Sequence, residues 1–200
     1  SGMLLSGAPC LTGTDPDAIS RLPVVEDRPN QFVISLVDAH YYVHQGFEVC
    51  GGELVRVGSR QSVTPDDYAN AITDCTAAVV YFLGTQPDDE LGTIIEIAHT
   101  HSVPVIVDAA AQLPPRSNLT DLATKVGADL VVFSGGKGLF GPQSSGLILG
   151  RADLVEAARL NSSPFSGIGR GMKVGKEEIA GLLRAVERFF EEDEEALIAE

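Results

Sequence analysis

Two residues stand where open α/β sheets gather their functional groups, just past the carboxyl end of an apolar strand. Asp108 follows Val105-Ile106-Val107 and leads into the small run Ala109-Ala110-Ala111-Gln112. Lys137 follows Leu130-Val131-Val132-Phe133 inside Ser134-Gly135-Gly136-Lys137-Gly138, where glycine lets the backbone approach a flat ligand closely. Taken singly, each has an ordinary explanation: an Asp after a strand caps the next helix, and a Lys in a glycine loop is solvated. Taken together they say more. A lysine that forms an imine with an aldehyde, and an acid that keeps a pyridine nitrogen protonated, are the pair that pyridoxal phosphate (PLP) chemistry requires.

Two nucleotide motifs compete for the same loop. Gly136-Lys137-Gly138-Leu139-Phe140-Gly141 satisfies the dinucleotide pattern GxGxxG, but Pro142-Gln143-Ser144-Ser145 leads into another apolar strand, not into the helix that would receive a pyrophosphate. A phosphate-binding NTPase loop fails as well, because no glycine stands five residues before the Gly-Lys pair and no Ser or Thr follows Lys137.

The elements that must position Asp108 and Lys137 are legible as apolar runs: Phe32 to Leu36, Leu54 to Val57, Ala77 to Phe82, Pro104 to Val107, Leu130 to Phe133 and Gly146 to Leu149. Helical patterns separate them, such as Leu91 to His101 with Leu91, Ile94, Ile95 and Ala98 on one face. Strand then helix, repeated, predicts a mostly parallel sheet in a three-layer α/β/α fold, and strands apolar nearly throughout predict helices on both faces. After Gly175, the spacing of Ile179, Leu182, Leu183, Val186, Phe189 and Phe190 predicts a long amphipathic helix ending in an acidic run. Ser1-Gly2-Met3-Leu4-Leu5 starts inside a helical pattern with no capping segment, so both ends are read as cut.

Composition excludes several classes of function. With 200 residues, 44% of them hydrophobic, the chain can bury one sizeable core. No apolar run approaches the length of a membrane span, no signal peptide is visible, and Cys10, Cys50 and Cys75 form neither a CxxC pair nor a zinc pattern; a soluble cytoplasmic protein without metal is expected. A formal charge of −14 opposes attraction to phosphate backbones and favours a small substrate over nucleic acid.

At these residues the chain resembles the fold-type-I PLP enzymes, and within them the bacterial selenocysteine synthase (L-seryl-tRNA selenium transferase) family and the D-glucosaminate-6-phosphate ammonia-lyase type. The resemblance spans nearly the whole chain. It is carried by Val107 through Pro115, by Gly127-Ala128-Asp129, by Phe133 through Gly146, and by Gly169-Arg170-Gly171-Met172-Lys173-Val174-Gly175-Lys176-Glu177-Glu178. It implies an aspartate aminotransferase-like large domain over residues 1–174, with 175–200 as a helix leading toward a C-terminal small domain. The turn that binds the PLP phosphate would fall just before Leu4-Leu5-Ser6-Gly7-Ala8.

By the same resemblance Lys137 carries PLP as an imine, Asp108 pairs with the ring nitrogen, Ser134 touches the cofactor phosphate, Ala110 lies against the ring, and Gln112 reaches its hydroxyl. His40 falls where the family often has a histidine near the cofactor; its plain alternative is a surface histidine. The family often follows that histidine with an arginine and then a Tyr-Asp pair, and here Tyr41-Tyr42-Val43-His44 departs from both. Arg170 and Lys173 are candidates for a substrate carboxylate or phosphate, with solvated charge as the rival. The expected activity is elimination from a small anionic amino compound in a homodimer or higher homo-oligomer. Selenium transfer on seryl-tRNA, class V-like transamination, a nucleotide-binding domain and an inactive scaffold of the same fold are the alternatives.

Overall fold

Six apolar runs become six strands of one sheet: β1 (Gln31–Ser35), β2 (Glu53–Val57), β3 (Thr76–Phe82), β4 (Val105–Asp108), β5 (Leu130–Ser134) and β6 (Gly146–Gly150), in the order β2-β1-β3-β4-β5-β6. All neighbours are parallel except β5 and β6. The computed structural model describes residues 2–195; Ser1 and residues 196–200, the last part of the stretch expected to form the C-terminal helix, lie outside the described residues.

Eight α-helices accompany the strands among the described residues: α1 (Gly2–Thr12), α2 (Pro16–Arg21), α3 (Tyr41–Val49), α4 (Pro65–Ala71), α5 (Leu91–Thr100), α6 (Asn118–Asp121), α7 (Ala152–Leu160) and α8 (Lys176–Glu191). Side chains alternate across a strand, so each inner strand feeds two cores. Phe32, Ile34, Ala78 and Val80 pack with Leu4, Ala8, Val43, Phe47 and Leu154 of α1, α3 and α7. Val33, Val79 and Tyr81 pack on the other side with Tyr68, Ile94, Ile95, Leu119 and Leu182 of α4, α5, α6 and α8. This is the expected three-layer α/β/α arrangement. The Leu91, Ile94, Ile95, Ala98 face of α5 is buried as its spacing predicts, and each of the three larger side chains stabilises the layer by about 1.5–3 kcal/mol.

The amphipathic helix is α8, but only part of its apolar face meets the core. Leu182 and Phe189 are buried while Ile179 and Leu183 are 59% and 61% exposed. Arg116 ties the end of α8 to the loop after β4: its Nε donates to the Phe189 carbonyl at 2.8 Å and its guanidinium lies over the Phe189 ring.

Parallel neighbours need a crossover, whereas antiparallel ones can be joined directly. The chain therefore passes from β5 to β6 through a loop with no helix, and that loop carries Lys137. This is the physical reason why the GxGxxG match has no helix N-terminus to offer a pyrophosphate.

Candidate functional site

The ends of β4 and β5 are laced together. The Ala109 N–H donates to the Val132 carbonyl at 3.0 Å and the Ser134 N–H to the Ala110 carbonyl at 3.4 Å. Asp108 and Ser134 are the last residues of adjacent strands, with Lys137 three residues further on. All three line a cleft of about 810 Å³, together with Ala110 and Lys173.

Asp108 is half-buried, and one oxygen accepts the Ala110 N–H at 3.0 Å. Burial pushes its carboxyl above the usual carboxylate range; the Ala110 N–H opposes this, Asp38 adds to it, and the charges of Lys137 and His40 oppose it. The carboxylate is thus short of positive partners, a state that a cation bound in the cleft would relieve. Lys137 is exposed, on a tightly folded loop. Its glycines serve this fold more than a ligand: an added Cβ at Gly138 would lie 2.0 Å from the Leu113 carbonyl oxygen, and one at Gly135 would lie 2.1 Å from Ser145 Oγ. The close approach they permit is to the protein's own atoms.

The remaining candidates divide. Lys173 is an exposed cation on the cleft wall, while Arg170 lies outside it and donates from Nη1 to Ser163 Oγ at 2.8 Å, Ser163 being part of the lining. Gln112 also lies outside the lining: its amide packs against Gly84 and its backbone carbonyl accepts from Asn118 Nδ2 at 2.9 Å. His40, just before α3, makes no helix-capping bond through its side chain; its Nδ1 lies 2.5 Å from Asp38 Oδ1.

Sequence reasoning passed over Asp38, the buried acid two residues before His40. It also passed over the α3 wall of the cleft, Tyr42 and Gly46, while the first turn of α1 (Gly2 to Leu5), expected to follow the phosphate-binding turn, forms another wall.

Comparison with known proteins follows the same lines. A family model described as L-seryl-tRNA selenium transferase matches residues 40–199. The chain is 39% identical to a 5'-C-glycyluridine monooxygenase-decarboxylase of a Streptomyces species, over all of this chain and 50% of that protein. It is 30% identical to the D-glucosaminate-6-phosphate ammonia lyase of Salmonella typhimurium, over 94% of this chain and 51% of that protein. A solved D-glucosaminate-6-phosphate ammonia-lyase superposes with a TM-score of 0.82 at 29% identity, covering 96% of this chain and 52% of that one. The chain therefore spans about half the length of the curated relatives it matches. These relatives are enzymes, one further relative is named as pyridoxal phosphate-dependent, and PLP is the cofactor they imply. The cleft fits that group, since it holds an amine, a partly buried carboxylate, a small alanine and a hydroxyl.

Proposed function

The chain belongs to the L-seryl-tRNA selenium transferase family, and from that premise we propose that its cleft holds PLP on Lys137 and eliminates ammonia or a β-substituent from a small anionic amino compound. The observation that carries the proposal is the meeting of Lys137, Asp108 and Ala110 in one cleft with Lys173 on its wall. When bound, PLP supplies an electron sink for charge developing at the carbon beside the substrate amine.

The roles of the protein's own groups follow from their chemistry. Lys137 would hold the cofactor through its aldehyde, and its amine, when free, would be the base for the Cα proton. Asp108 holds a proton on the ring nitrogen and gains there the cationic partner it lacks. Ser134 would give its hydroxyl to the phosphate and Ala110 leaves room for the ring, while Gln112 and His40, outside the lining, would reach the ring only by moving. Lys173 holds the anionic end of the substrate, with Arg170 joining through the Ser163 loop. The charge of −14 supports a small substrate rather than tRNA. The exposed Ile179 and Leu183 of α8 support a homo-oligomer, and three free cysteines support a reducing cytoplasm. No helix among the described residues is long and apolar enough to cross a membrane.

A second reading, decarboxylation, is favoured by the 39% identical monooxygenase-decarboxylase. The test uses the complete gene product, reduced with borohydride and mapped by mass spectrometry, then incubated with 2-amino acids and amino-sugar phosphates. A phosphopyridoxyl group on Lys137 and release of ammonia with a keto product are expected. A label on Lys125, Lys173 or Lys176 overturns the lysine assignment. Carbon dioxide in place of ammonia selects decarboxylation, strict dependence on seryl-tRNA selects selenium transfer, and accumulating pyridoxamine phosphate selects transamination.

A further inference from the structure

Asp38 is buried in the loop after β1, its side chain 5% exposed, while the His40 ring bonded to it is 66% exposed. Asp38 Oδ1 lies 2.5 Å from His40 Nδ1, and Oδ2 has no partner among the described residues. A carboxylate offers only acceptors, so the hydrogen between them sits on Nδ1, and the proton left for His40 to exchange is the one on Nε2. The ring stands edge-on to Tyr42 with centroids 5.7 Å apart, and Tyr42 is a wall of the cleft. Neither Asp38 nor His40 lines the cleft itself; the pair stands behind its Tyr42 wall, with one nitrogen anchored on a buried carboxylate and the ring open to water.

We propose that Asp38 is a positioning residue that fixes the tautomer of His40, and that His40 Nε2 is a second acid–base group of the cleft, distinct from Lys137. The inference rests on the elimination reading and adds the step that reading leaves open. Lys137 takes the Cα proton; the leaving group departs with the electron pair of its bond to carbon and receives the Nε2 proton of His40. The neutral ring keeps its hydrogen on Nδ1, and solvent returns a proton to Nε2 at the exposed edge. Protons and electrons balance with no added oxidant.

The decisive measurement is the ¹⁵N spectrum of the histidines in the complete protein, with His40→Gln assigning the signal. Neutral His40 is expected with its hydrogen on Nδ1, moving to Nε2 in Asp38→Ala. With PLP bound and D-glucosaminate 6-phosphate as probe, Asp38→Asn and His40→Gln should each lower kcat about 10²-fold with KM little changed. The double variant should be no slower than the slower single, because the two act as one unit. Borohydride labelling of Lys137 should stay complete in each, which shows that the variants fold and load. An Nε2–H tautomer in the labelled wild type, full kcat in Asp38→Asn, or additive losses overturn the pair alone. A wild type with no label on Lys137, or no ammonia from the probe, overturns the elimination reading instead.

Discussion

Asp129, just before β5, and Asp108, at the end of β4, are acids at opposite ends of neighbouring strands, and the fold surrounds them in opposite ways. Asp129 is buried and partnered on both oxygens. Its Oδ2 accepts the Val105 N–H at 2.8 Å and faces His99 Nε2 at 2.8 Å, while its Oδ1 accepts from Arg151 Nη1 at 2.9 Å. Asp108 has one backbone N–H within hydrogen-bonding distance and a carboxyl raised by burial. A buried acid with partners on both oxygens is a structural joint; one left under-partnered beside a cleft costs the apo fold stability and keeps its charge for a ligand. Both follow apolar or small residues in the sequence, and only their partners tell them apart.

That contrast can be broken at either end. The largest expected effect is at the joint: Asp129→Ala leaves the Val105 N–H without an acceptor and Arg151 without its inner partner, and should lower unfolding free energy by about 3 kcal/mol in urea titrations. A loss under about 1 kcal/mol would mean that the joint is replaceable. Next is Asp108→Asn in the complete, PLP-loaded protein, where turnover should fall about 10²-fold while borohydride still labels Lys137. Unchanged turnover would remove Asp108 from the chemistry.

The contrast is sharpened by pH. A carboxyl whose folded pKa lies above its unfolded value destabilises the fold once ionised. That cost is absent below the unfolded value and complete above the folded one. PLP-free Asp108→Asn should therefore melt slightly higher than wild type at neutral pH, and the difference should fade below about pH 4. A difference independent of pH would mean that size or packing, not charge, sets it. The smallest effect on stability is expected on the surface: Leu183→Ser on α8 should change unfolding by less than about 0.5 kcal/mol yet weaken self-association in sedimentation. Sedimentation identical to wild type would assign that apolar face to something other than a second copy.

Much of this was legible in the sequence, for identifiable reasons. The strand runs were readable because parallel strands covered on both faces are apolar throughout, and Asp108 and Lys137 because each closes such a run. The strand order was not, since β1 pairs with both β2 and β3 and no local pattern encodes that choice. Asp38 was missed because no local pattern reveals that it is buried and bonded to a histidine two residues on whose own ring is exposed. The α8 spacing announced a helix without saying that Ile179 and Leu183 would face outward. The glycines around Lys137 were visible, but only the packed loop shows Gly138 making room for the Leu113 carbonyl.

The antiparallel pairing of β5 with β6 also bears on how the molecule assembles. Ser134 meets Gly146 across one short loop, whereas Val33 meets Val79 only after β2 and α4 have intervened. Closing a short loop forfeits less chain entropy, so the β5–β6 hairpin is expected to form early and the rest of the parallel sheet later. The lysine's loop would then be shaped before the strand bearing Asp108 docks beside it. Pulsed hydrogen exchange during refolding should find the amides of Val131 and Phe133 protected ahead of those of Val79 and Val80.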